Sequence, residues 1–132
     1  MPLHPRTKEK LNSHLDENLL TELNQNKNFK IIPPLGFLDI ISLEKNARLI
    51  ITDSGGLQKE AFFFQKPCVI LREQTEWIEI VENGNALIAG ANELKIISSV
   101  ETLIKRTDFT YPNLYGDGNA ANFICKKITE EL

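Results

Sequence analysis

Short apolar runs alternate along this chain with longer stretches in which apolar residues recur every three or four positions. The first long stretch, residues 7–24, carries Leu11, Leu15, Leu19, Leu20 and Leu23 between charges, which predicts one amphipathic helix. Residues 29–32 read as a strand, stopped by Pro33-Pro34 because proline cannot donate to a ladder and pushes its predecessor to extended geometry. A helix over 37–46, a strand over 48–52 and a helix over 57–64 follow. Pro67 then precedes a strand at 68–71. A helix at 77–83, a short strand at 86–89, a helix over 92–106 and a last helix beginning near Asn119 complete the pattern. Strands alternating with helices at these lengths predict an α/β domain of three α/β/α layers, its parallel sheet covered on both faces.

Composition narrows the function without naming it. With 132 residues the chain suits one compact domain with a real core. Fifteen basic against eighteen acidic residues give a net charge of −3, and no basic block tracks a phosphate backbone, so nucleic acid is not an expected partner. No apolar run approaches the length of a membrane span, and residues 1–6 lack the apolar centre of a signal peptide. A soluble, cytoplasmic protein without membrane contact is expected. Cys68 and Cys125 lie far apart in apolar surroundings without metal-ligand spacing, which predicts two reduced, buried thiols rather than a disulfide or a metal site. Phe62-Phe63-Phe64 reads as core packing.

The candidate chemistry lies in I-T-D-S-G-G-L-Q-K-E-A, residues 51–61. It falls where a strand hands over to a helix, and in parallel sheets ligands bind outside the carboxyl ends of the strands. Ser54 is placed to cap the helix. Gly55 and Gly56 remove the side chains that would keep an anion from the backbone N–H groups and from the positive end of the helix dipole. Asp-Ser-Gly-Gly is also an ordinary capped turn. Glu60, four residues after Gly56 on the same helix face, suits a pair of ribose hydroxyls, and it suits a solvated surface charge equally well.

Six motifs occur in order: H-P-R-T at 4–7, P-L-G-F-L-D at 34–39, the segment 51–61, K-P-C-V-I-L-R-E at 66–73, T-E-W-I-E at 75–79 and Y-G-D-G-N-A at 115–120. Together they resemble the C-terminal half of the non-hydrolysing UDP-N-acetylglucosamine 2-epimerases, which are glycosyltransferase-B-type proteins with two Rossmann-like domains facing across a cleft. The resemblance implies interconversion of UDP-N-acetylglucosamine and UDP-N-acetylmannosamine without cofactor or metal, by elimination of UDP and its return with C2 inverted. It implies that Ser54, Gly55 and Gly56 hold the diphosphate, that Glu60 holds the ribose, and that Leu35, Phe37 and Ile40 border the uracil. It makes His4 an auxiliary catalytic group on the diphosphate side. Arg6 and Arg72 are further candidates for positive charge near the cleft, and Glu76 for loop structure or a contact on the substrate side. Tyr115 to Gly118 reads as the turn before the closing helix.

The same resemblance sets expectations about extent. The chain begins where the family's second domain begins, so it is read as a single UDP-binding Rossmann-like domain over 1–132, with the N-terminal catalytic half and its acid/base carboxylates absent and no epimerase activity expected from these residues alone. An N-terminal domain partner or a homodimer would cover the face so exposed. Where many relatives read T-E-R-P-E this chain has Trp77 in place of the arginine, a form that resembles a branch acting on 2,3-diacetamido sugars. A non-catalytic UDP-binding module and the donor-binding half of a glycosyltransferase are the alternatives. The combination of H-P-R-T with T-D-S-G-G favours the epimerase.

Overall fold

The computed structural model describes residues 1–130, and the chain divides into two compact units, Met1–Leu43 and a second from Glu44 onward. In the first unit, α1 (Pro5–His14) and α2 (Glu17–Gln25) replace the one helix predicted over 7–24. Asp16 makes the break. Its backbone is extended (φ −70°, ψ 158°) and its carboxylate accepts from the Leu19 N–H at 2.8 Å, so an acid that competes poorly inside a helix caps a new one. The strand predicted at 29–32 shrinks to one parallel bridge between Pro2 and Ile32. The Leu3 N–H donates to the Ile32 carbonyl and the Ile32 N–H to the Met1 carbonyl, both at 3.0 Å. Pro2 lacks an N–H, and Pro33-Pro34 follows at once, so no ladder extends from the bridge. The helix α3 (Phe37–Asn46) matches its predicted span and runs across the division between the units.

The second unit holds the sheet: β1 (Ile50–Thr52), β2 (Cys68–Ile70) and β3 (Ala86–Ile88), in that order and parallel, with Ile51 opposite Val69 and Val69 opposite Leu87. The central strand is buried throughout, as a parallel strand covered on both faces must be. Alternation along it separates two cores. Cys68 and Ile70 pack with Ala61 and Phe62 of α4 (Gly55–Phe63) and Ile80 of α5 (Ile78–Glu82), whereas Val69 packs with Leu103, Ile96 and Val100 of α6 (Glu93–Lys105). Helices therefore cover both faces, and the predicted α/β/α layering is observed. Each of these wholly buried β-branched side chains contributes about 1.5–3 kcal/mol by leaving water.

The helix α7 (Ala120–Glu130) buries none of its residues. Two expectations fail here for geometric reasons. Cys125 is exposed, because it lies on α7 rather than under a packed face. Phe63 is also exposed, since α4 turns Phe62 inward and places its neighbour about 100° further round the helix.

Candidate functional site

The carboxyl end of β1 leads straight into α4. Thr52 is buried, and its Oγ1 accepts from the Ser54 N–H at 3.0 Å, which turns the chain off the sheet. Ser54 then caps α4, accepting from the Leu57 N–H at 3.5 Å. The helix opens two residues earlier than the predicted 57–64, so Gly55 and Gly56 are its first-turn residues, whose N–H groups have no acceptor within the helix. Gly56 has open surroundings, with only the Ser54 Oγ 3.8 Å from where a Cβ would stand.

Gly55 faces a second loop. At the carboxyl end of β2, the Arg72 Nη1 bridges both Glu76 oxygens at 2.9 and 3.0 Å, and a Cβ on Gly55 would stand 3.3 Å from Glu76 Oε2 and 3.6 Å from Arg72 Nη1. Its own backbone N–H first, and then the Arg72 guanidinium, hold the Glu76 carboxyl below the usual carboxylate range. Both candidates therefore border the opening of α4, as partners of one another. Trp77 ties this loop to the helix: its Nε1–H donates to the Gly55 carbonyl at 2.8 Å, and its backbone N–H donates to Thr75 Oγ1 at 3.0 Å. Thr75 in turn donates to the Oε1 of Gln58, which is fully buried in α4. Lys59 Nζ lies 4.4 Å over the Trp77 ring and 4.5 Å over Tyr115, a cation held between two aromatic faces beside the glycines.

Glu60 lies one turn into α4 and is half-buried. Facing it from α3 is Glu44, a carboxylic acid only 4% exposed whose two oxygens have no hydrogen-bond partner among the described residues. Burial, and then the charge of the nearby Glu60, push the Glu44 carboxyl up to about 7. Cys68, on β2 beneath, is pushed up to about 12 by burial and by Glu44.

The remaining candidates belong to the first unit. His4 is exposed and caps α1, its Nδ1 accepting from the Arg6 N–H at 3.3 Å, which leaves Nε2 to carry the proton of the neutral ring. Arg6 is exposed on α1. Leu35 and Ile40 are half-buried, and Phe37 opens α3 with 68% of its surface exposed.

Residues 1–129 match the family model described as UDP-N-acetylglucosamine 2-epimerase. The chain belongs to that family. It is 45% identical over 130 residues to the UDP-N-acetylglucosamine 2-epimerase of Methanococcus maripaludis, with 98% of this chain and 34% of that protein covered. It is 38% identical over 130 residues to the UDP-2,3-diacetamido-2,3-dideoxy-D-glucuronate 2-epimerase of Pseudomonas aeruginosa, again covering 98% and 34%. The Methanocaldococcus jannaschii UDP-GlcNAc 2-epimerase, solved in complex with UDP-GlcNAc and UDP, superposes with a TM-score of 0.82 at 41% identity, covering 98% of this chain and 34% of that one. The chain thus spans about a third of the length of the curated relatives it matches. Its α/β layers match those of epimerase structures with the glycosyltransferase-B fold.

Within this epimerase segment, sequence reasoning singled out Ser54, Gly55, Gly56 and Glu60, and the structure sets them on one helical turn and a half, with Arg72 and Glu76 beside the first glycine. It missed three features. Trp77 was noted as a lost arginine, whereas its indole N–H anchors the loop to Gly55. Lys59, set between the Trp77 and Tyr115 rings, carries no signal in the sequence beyond its charge. Glu44 carries no sequence signal either, since the packing of α3 is what buries this acid.

Proposed function

We propose that these residues form the UDP-holding part of a UDP-N-acetylhexosamine 2-epimerase, a single Rossmann-like domain in which α4 receives the diphosphate and ribose. The observation that carries the reading is the opening of α4: two glycines in its first turn at the carboxyl end of β1, capped by Ser54, with Glu60 a turn further on. In this reading the first-turn N–H groups accept the negative charge that builds on UDP as its bond to the sugar C1 breaks. Donors already in place where that charge develops lower the barrier without reorganising. Glu60 accepts from the two ribose hydroxyls. Leu35, Phe37 and Ile40 border the uracil, and Arg6 and Arg72 add positive charge near the diphosphate.

The reaction removes the proton at C2, expels UDP to leave a 2-acetamidoglucal, and adds UDP back to C1 as a proton returns to the opposite face of C2. His4, on the diphosphate side, steadies the departing UDP. The groups that carry the C2 proton are assigned to a partner N-terminal domain, so the 132 residues alone bind UDP without turning over. An N-acetylhexosamine is the sugar class, and the 2,3-diacetamido variant is the nearest alternative, supported by the identity to the Pseudomonas relative.

Calorimetric titration of the chain tests this. UDP is expected to bind and uridine to bind much more weakly, and Glu60→Ala is expected to weaken UDP by roughly tenfold, the worth of hydrogen bonds to a charged acceptor. Absence of UDP binding at millimolar concentration would overturn the reading.

A further inference from the structure

A buried acid without a formed hydrogen bond is costly unless it is neutral, and Glu44 is such an acid. The titratable groups that bear on it are Glu60 from α4 and Cys68 from β2, and among the described residues no lysine or arginine forms an ion pair with it. Its surroundings thus contain an anion and a thiol but no paired cation. Two carboxyls so placed cannot both ionise cheaply, and Glu44 is the one whose ionisation is displaced upward. The proton belongs on Glu44, the more buried member, because Glu60 retains contact with water. As placed, the two side chains do not complete a hydrogen bond, yet Glu60 is near enough to favour the protonated Glu44 both by its charge and as an acceptor.

We propose that Glu44 is a positioning residue for Glu60: as a neutral acid it donates its O–H to one Glu60 oxygen, holding that carboxylate ionised and oriented to accept from a vicinal diol. The proposal rests on the reading of Glu60 as the ribose-binding group. It adds a consequence that this reading lacks. When Glu44 loses its proton, the donor is lost and repulsion turns the Glu60 carboxylate away, so diol recognition falls as the pH rises through about 7.

Two measurements on the whole chain test it. Carboxyl carbon NMR across pH 4–9 is expected to show a Glu signal titrating near neutrality, and Glu44→Gln is expected to abolish that step. Absence of any such signal from the native chain overturns the proposal without recourse to a variant. Calorimetry then compares UDP with 2′,3′-dideoxy-UDP, which shares the diphosphate and its titration but lacks the diol. The ratio of their affinities is expected to fall roughly five- to tenfold between pH 6 and pH 8.5, and to be flat in Glu44→Gln. A native ratio that stays flat while UDP still binds removes the role of Glu44 alone. Failure of UDP to bind at either pH removes the nucleotide reading and this proposal together.

Discussion

At the residue scale, the features that matter are small groups held where a larger or differently charged one would fail. A Cβ on Gly55 would press on the Arg72–Glu76 pair, and Gly56 keeps the surface of the first turn open. Glu44 gives the residue scale its clearest consequence for stability. Its carboxyl lies at about 7 in the folded chain against an ordinary 4.5, so the folded state binds the extra proton between those values. Unfolding then releases a proton in that window, and stability falls as the pH rises from about 4.5 through 7, levelling off above. The loss is expected to be about 1–3 kcal/mol, and chemical denaturation at pH 5, 7 and 8.5 measures it. Glu44→Gln is expected to remove the slope and to be the more stable form at pH 8.5. A stability profile unaffected by that substitution would show that Glu44 ionises freely in the fold.

At the element scale, caps and strand burial decide where helices start and which faces they hide. Asp16 divides a leucine-bearing stretch into α1 and α2, although the spacing of Leu11, Leu15, Leu19 and Leu23 continues through the break. Periodicity records which residues can share a face, and it is silent about a side chain that offers the backbone a competing bond. The far end of α4 shows a local conflict of the opposite kind. Gln65 takes a left-handed conformation (φ 58°) so that the Lys66 N–H can reach the Ala61 carbonyl at 2.8 Å, the closure that glycine ordinarily makes. Gln65→Gly is expected to stabilise the chain by about 0.5–1 kcal/mol, read as a raised denaturation midpoint, because it removes the Cβ clash of that conformation. Destabilisation would mean that the Gln65 side chain makes a contact worth more than the strain.

On the scale of the whole molecule, the sheet and its two cores account for α4, α5 and α6, while α7 leaves Phe123, Ile124 and Ile128 more than half exposed. Surface of that kind is expected to drive concentration-dependent association of the isolated chain, visible in sedimentation velocity, and Phe123→Glu with Ile128→Glu is expected to suppress it with little change in thermal midpoint. A chain that stays monomeric to high concentration would show the apolar positions too scattered to pair. The α/β class, the strands at β1, β2 and β3, and the helix that follows the Ser-Gly-Gly turn are legible in the chain without its fold. Each of these rests on local signals: β-branched runs, prolines, a serine cap and paired glycines. The family resemblance was legible for the same reason, since its motifs are contiguous stretches. That Phe63 and Cys125 face water, that Trp77 anchors the loop carrying Glu76, and that Glu44 is buried beside Glu60 emerges from the packing alone. Burial and the meeting of two charges depend on which helix packs over which strand, and no spacing within a single segment records that.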